Sequence, residues 1–156
     1  MDDVTDRLAQ LERDDEELVL DHFDRRDAWE LGHRLAHVAL ERALPVVVDV
    51  RTPAGILFHA SLPGATADND EWVNRKSRTA LRFEASTALL GTRAEHVGFD
   101  FFDQGWLDPA DYTVAGGAVP IRMAGVGVVA VATVSGLTSA DDHQLVVDAL
   151  REIMAN

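Results

Sequence analysis

The sequence predicts an α+β domain, a mostly antiparallel sheet flanked by helices. Short apolar runs come in pairs joined by tight turns, which is the pattern of β-hairpins. Amphipathic segments of helical period stand before, between and after those pairs. Val126–Val134 is apolar on both faces, which marks a central strand. The predicted order is α, short β, α, β, β, α, α, β, β, α, with hairpins rather than crossovers setting the strand directions.

Each element has its own grounds. Residues 2–16 read as a helical arm with a thin stripe of Val4, Leu8 and Leu11, lying on the surface or against a partner subunit. Leu18-Val19-Leu20 is a short extended lead-in. Asp24 caps a long helix ending near Leu44, and Asp27 completes a variant capping box. Ala28, Leu31, Leu35 and Val38 form its apolar stripe. Gly32, Ala36, Ala39 and Ala43 form a stripe of small residues, so this helix is expected to be the main cover of the sheet. Pro45 ends it. Val46–Val50 and Ile56–Leu62 are strands, and Pro53-Ala54-Gly55 suits a three-residue loop with a left-handed glycine. In that register Thr52 faces Ile56, Val50 faces Phe58 and Asp49 faces His59, and Val46, Val48, Val50, Ile56, Phe58 and Ala60 share a core face.

The second half continues with a helix over about 69–84, a break at Glu84–Ser86, and a helix over about 86–102 capped by Ser86. Asp108-Pro109 marks a loop. Gly116-Gly117 opens a strand pair, Ala118–Met123 and Val126–Ser135, turning at Ala124-Gly125. Ser139 and Asp142 form a further capping-box variant at the start of a last helix, with Leu145, Val146, Ala149, Leu150 and Ile153 inward.

The chain has 156 residues, a size that suits one domain. Residues 1–16 are the arm and 17–156 the body. The formal net charge of −13 disfavours nucleic acid and anionic membrane surfaces as partners. The absence of cysteine excludes disulfides, thiolate metal sites and cysteine nucleophiles. The acidic start MDDVTDRLAQ lacks the apolar core of a signal peptide, and no apolar run approaches the ~20 residues of a membrane span. A cytoplasmic protein is the expectation.

The densest polar stretch is Pro63–Thr79. Asp68, Asn69, Asp70 and Glu71 adjoin Trp72, and Arg75, Lys76 (the only lysine) and Arg78 follow one turn on. One reading makes the acids first-turn partners of the helix dipole. Another makes the acids and Asn69 line a pocket with Arg75 and Lys76. A calcium loop is excluded by the missing glycine and distal glutamate. His33 and His37 are four apart, but no Glu follows His33 and their helix face is charged, so a solvated face is the reading. Asp49 opposite His59 is a candidate acid–base pair or a structural hydrogen bond. No G-x-S-x-G motif is present. Gly116-Gly117 and Ser135-Gly136 are turn glycines rather than phosphate loops, and His143 stands in the first turn of the last helix.

PGATADNDEW with the following RK, GGAVPIR, and VGVVAVATVSGL before DDH together resemble the haem-degrading-domain family, with its GlcG-like and HbpS-like members. They resemble more closely its uncharacterised bacterial and fungal subgroup, over about residues 15–155. The resemblance implies a profilin-like α-β-α domain, homo-oligomers from dimers upward, and a haem-binding role. It leads to a ligand pocket of Asp68, Asn69, Asp70, Glu71, Trp72, Arg75, Lys76, Gly116, Gly117, Ser135 and Gly136. Arg75 and Lys76 would meet ligand carboxylates, Trp72 would be an apolar wall, and His59 or His143 would be the iron ligand. Two other functions stay open at this point: an assembly module with a structural DNDEW segment, and an enzyme using Asp49/His59.

Overall fold

The computed structural model describes residues 3–156; Asp2, the expected first residue of the arm, lies outside them. The elements are α1 (Asp3–Glu17), β1 (Val19–Leu20), α2 (Arg25–Glu41), β2 (Val47–Thr52), β3 (Gly55–Ser61), α3 (Ala67–Phe83), α4 (Thr87–Val97), β4 (Ala118–Met123), β5 (Gly127–Ser135) and α5 (Ser139–Met154). Five strands form one sheet in the order β1-β4-β5-β2-β3, antiparallel except for the parallel β1–β4 pair. The fold is thus α+β, with β5 central as its double-sided apolar pattern requires.

The main core lies between the sheet and two helices. Val46, Val48 and Val50 of β2 and its lead-in meet Ala130, Ala132 and Val134 of β5 beneath Ala28, Leu31 and Leu35 of α2 and Val146 and Leu150 of α5. Alternate residues of β5 face the other way, where Val131 packs with Ala118 and with Ala80 of α3. The sheet is therefore covered on both sides, and α2 shares one face with α5 rather than covering it alone. A smaller core joins Leu8 and Leu11 of α1 to Leu89 and Leu90 of α4. The arm thus docks within its own chain, held also by Arg122 to Asp15 (3.0 Å) and Arg151 to Asp14 (2.6 Å).

α2 begins at a complete capping box. The Asp27 N–H donates to Asp24 Oδ1 and the Asp24 N–H donates to Asp27 Oδ2, both at 2.9 Å. Its small-residue stripe lets it approach β3. A Cβ on Gly32 would stand 2.2 Å from Cγ of Phe58. The helix stops at Glu41, short of Leu44. Ala43 takes a left-handed φ of 52° and Leu44 donates back to Ala39 O at 2.8 Å, so Ala43 leaves the stripe assigned to it.

The β2–β3 hairpin keeps Val50 opposite Phe58 and Asp49 opposite His59. Nearer the turn the expected register fails. Leu57 is an extra residue, so Arg51 pairs with Ile56 and Thr52 with Gly55. The loop then has two residues, and the Thr52 hydroxyl accepts from the N–H groups of Ala54 and Gly55, both at 3.2 Å. The bulge turns Ile56 out of the core face to 56% exposure.

α3 starts earlier than expected because Thr66 is the capping residue, its N–H donating to Asn69 Oδ1 at 2.9 Å. The break before α4 is a left-handed Glu84, and Ser86 caps α4 through the Leu89 N–H at 3.1 Å. α4 ends at Val97 rather than near 102. Gly98 adopts φ 70° and Phe99 donates to Ala94 O at 2.8 Å, closing the helix. The cap of α5 is Thr138, accepting from the Asp141 N–H at 3.2 Å, and not Ser139, because Asp142 is needed elsewhere.

Replacing Gly32 by Ala should lower stability by roughly 1–3 kcal/mol, despite alanine's better helix propensity, because the new methyl overlaps the Phe58 ring. Urea unfolding of the two proteins measures it.

Candidate functional site

The three predicted pocket segments do come together, but around a buried ion pair. Lys76 Nζ donates to Asp142 Oδ2 at 3.0 Å and to the Val134 carbonyl at 3.2 Å. Lys76 is 3% exposed and Asp142 1%. Asp142 also accepts from the Leu137 N–H at 3.0 Å and, at 3.4 Å, from that of Gly136. Gly117, at φ 141°, passes so close that a Cβ would lie 2.4 Å from Val134 O and 2.8 Å from Lys76 Nζ. Burial pulls the Lys76 ammonium down from its ordinary range and pushes Asp142 up, while each charge opposes the other's shift. Ser135, also buried, pairs with Val47 in the sheet. Gly116 approaches the Ser139 carbonyl closely enough that a Cβ would lie 2.6 Å from it.

The acidic end of α3 is internally bonded. Trp72 Nε1 donates to Asp68 at 3.2 Å, and the Arg75 guanidinium lies 3.8 Å over the Trp72 ring. Asp70 reaches His59 Nε2 at 3.0 Å, and His59 Nδ1 lies 2.7 Å from Asp49. Arg51 forks onto both Asp49 oxygens at 2.6 and 2.8 Å and donates to Asn74 at 3.0 Å. Asp49 is fully buried, and its oxygens are satisfied by this fork and by the imidazole. The Asp49/His59 pairing read from the strand register is present. Asp70, Arg51 and Asn74 extend it into one network across β2, β3 and α3, with both His59 nitrogens committed. Glu71 is exposed.

His143 is 6% exposed and neither ring nitrogen has a hydrogen-bond partner among the described residues. Desolvation lowers its ionisation, against the attraction of Asp14 on α1. It lines neither the groove over α2 nor the hollow beside Val97 and Phe99.

The larger open cavity, about 610 Å³, lies over the outer face of α2. Trp29, His33 and His37 follow one another at a spacing of four and so share a face. Trp29 and His33 stack with centroids 5.7 Å apart and 19° between planes; His33 and His37 follow at 6.3 Å and 20°. Phe58 meets Trp29 edge-on at 5.6 Å. His22 and Phe23 enter from the β1–α2 loop, and Ile153 and Met154 from α5. His22 Nδ1 lies 2.9 Å from Asp27 Oδ2, and that carboxylate raises its ionisation. Arg34, the one Lys or Arg lining the groove among the described residues, pairs with Glu152 at 2.5 Å. His59, His143 and the Asp68–Lys76 turn do not line this groove. Sequence reading missed it because its walls come from three distant segments; the Trp29/His33/His37 spacing was the available signal. The described residues contain no group of three or more His, Cys, Asp or Glu placed to hold a metal ion, and no helix long and apolar enough to cross a membrane.

The chain is a three-layer α+β domain, a five-stranded sheet covered by helices on both faces. Within that fold class the chain belongs to the HbpS-like family, described as haem degrading protein HbpS-like, whose model matches residues 23–151. It is 44% identical to a UPF0303 protein of Streptomyces avermitilis over 147 residues, 94% of this chain and 90% of the relative. Among solved structures, the Ybr137w protein matches at TM-score 0.85 and 31% identity, covering 95% of this chain and 87% of that one. HbpS matches at TM-score 0.67 and 22% identity, covering 86% and 92%. A PduOC:heme complex matches at TM-score 0.70 and 18% identity, covering 83% and 93%. The last two are likenesses of fold.

Lys76→Met should cost roughly 3–5 kcal/mol in chemical unfolding, since it strands Asp142 in the interior, and the double variant with Asp142→Asn should lose less than Lys76→Met alone. A second expectation concerns pH. The unfolded chain takes up a proton at His143 near pH 6.5 while the folded chain resists it. Below that pH protonation therefore favours unfolding, and stability declines on acidification. His143→Leu should flatten this part of the acid limb, measured as melting temperature against pH.

Proposed function

We propose that this chain is a haem- or small-molecule-binding protein working as a homo-oligomer, with the ligand in the groove over α2. The observation that carries the reading is the ladder of near-parallel Trp29, His33 and His37 rings along an open groove of about 610 Å³. Aromatic and imidazole rings beside Phe23, Ile153 and Met154 suit a largely apolar ligand with a few polar anchors. The donor set fits haem: imidazoles and a thioether are the common side-chain ligands of its iron. His22, His33 and His37 would hold it with Trp29 as a wall, and Arg34 would meet carboxylates. Haem bound there would supply a redox-active iron. Asp21, Asp27 and Glu30 share the rim, so a ligand's own carboxylates would be steered to the Arg34 end. Family membership and a relative of the same fold described as a haem complex support the choice of ligand.

The groove is preferred to the Asp68–Lys76 junction because Lys76 is buried and paired, and Arg75 lies on the ring that was to be the wall. That same fact favours a second reading for the DNDEW segment: it is structural, its side chains satisfying one another. Catalysis by Asp49/His59 has less support, since Asp70 occupies His59 Nε2. Exposed Val97 and Phe99, beside an apolar hollow of about 290 Å³ lined by Leu8, Leu90 and Phe101, offer a surface for self-association.

Titration with haemin should shift the Soret band of the purified protein at about one equivalent per chain. Trp29→Ala should weaken binding about tenfold, the effect of losing one stacking wall. Trp72→Ala should leave the titration unchanged while lowering the melting temperature. An unshifted Soret band would end the haem reading, and a single-chain mass by light scattering would end the oligomer.

A further inference from the structure

Three histidines line the groove, and they are not equivalent. The His33 imidazole stands between Trp29 and His37 along α2, and no hydrogen bond among the described residues orients its ring nitrogens. His37 directs Nε2 to Glu41 at 3.2 Å, one turn further along α2. His22 differs from both. It sits on the loop between β1 and α2, its side chain is 80% exposed, and Nδ1 lies 2.9 Å from Asp27 Oδ2. A carboxylate only accepts, so Nδ1 carries the hydrogen of that bond, and in the neutral ring the lone pair is then on Nε2. Nε2 has no hydrogen-bond partner among the described residues. This is the arrangement of a metal-ligating histidine, with one ring nitrogen donating to a carboxylate that fixes the ring and the other left for the metal.

Asp27 is itself fixed. The same Oδ2 that faces His22 accepts the Asp24 N–H at 2.9 Å, and the Asp27 N–H donates to Asp24 Oδ1. The capping box of α2 thus serves two ends: it starts the helix that carries the ring ladder, and it holds the carboxylate that aims His22. No hydrogen bond in the described structure needs His22 for any other purpose.

We infer that His22 is the side chain that ligates the iron of a haem in the α2 groove, and that Asp27 is its positioning residue. This rests on the reading of the groove as a haem site. His22 Nε2 would provide the donor atom, Asp27 would limit rotation of the ring, and Trp29, His33 and His37 would line the groove beside the macrocycle.

The test compares haemin-loaded wild-type protein with His22→Gln, His22→Gly, His33→Gln and Asp27→Asn by absorption and electron paramagnetic resonance. The wild type should show imidazole-ligated ferric haem. His22→Gln should lose that signature, and His22→Gly should regain it when free imidazole is added. His33→Gln should retain it. Asp27→Asn should keep the signature with affinity weakened roughly 10–100-fold. Because His22 is exposed, its variants should melt with the wild type, which separates lost ligation from lost folding. A wild-type signature persisting in His22→Gln, or lost instead in His33→Gln, overturns the assignment while leaving haem binding intact. Unchanged affinity in Asp27→Asn overturns the positioning role. A wild type with no Soret shift removes the haem reading itself.

Discussion

The buried Lys76–Asp142 pair is the constraint around which the centre of the molecule is arranged. A lone ammonium in that position would carry a large desolvation penalty. It is tolerated because α5 supplies a carboxylate at 3.0 Å and β5 a carbonyl at 3.2 Å. The carboxylate in turn accepts from the backbone where β5 leaves the sheet. Side-chain room is so limited there that the chain crosses as glycine at 117 and 136, both with positive φ. One ion pair thus sets where α3 crosses the sheet, where α5 starts, and why Thr138 rather than Ser139 caps it. Asp142 could not serve a Ser139 capping box while holding Lys76.

This node also explains the distribution of polar groups on the α3 side of the sheet. Ser77 and Thr133 share a buried hydrogen bond of 2.9 Å next to it, and Asp49, Arg51, His59, Asp70 and Asn74 continue the polar strip toward the edge. The opposite side, under α2 and α5, is aliphatic. A helix over a polar strip is located by directed bonds, whereas one over an aliphatic face is located by shape. α2 belongs to the second kind, with Gly32 seated on Phe58. Its outer face carries the Trp29, His33 and His37 rings that line the groove.

Strand order of residue types made much of the fold legible. Alternation fixed the Asp49–His59 and Val50–Phe58 pairings, and the double-sided run identified β5 as central. The Asp24/Asp27 box was readable because both partners are local. What failed was non-periodic: the bulge at Leu57, the left-handed turns at Ala43 and Gly98, and the shift of the α5 cap. A bulge leaves no mark in an apolar pattern beyond one misplaced residue, here Ile56. The site was less legible than the fold. Charged residues adjacent in sequence suggested a pocket, but Lys76 is buried against Asp142, Asp68 is bonded to Trp72 and Asp70 to His59. Whether a charged cluster opens to solvent depends on packing from distant segments, and neither spacing nor composition carries that. The groove needs His22, the Trp29 ladder and Met154 together, three segments that only folding brings side by side.

The extra residue at Leu57 has a consequence beyond register. β3 is an outer strand of the sheet, and the other outer strand, β1, is two residues long. An outer strand usually presents an even row of N–H and C=O groups that a foreign strand can extend. Here one row is kinked near its start and the other is too short to template anything. Continuation of the sheet from molecule to molecule is therefore disfavoured at both margins.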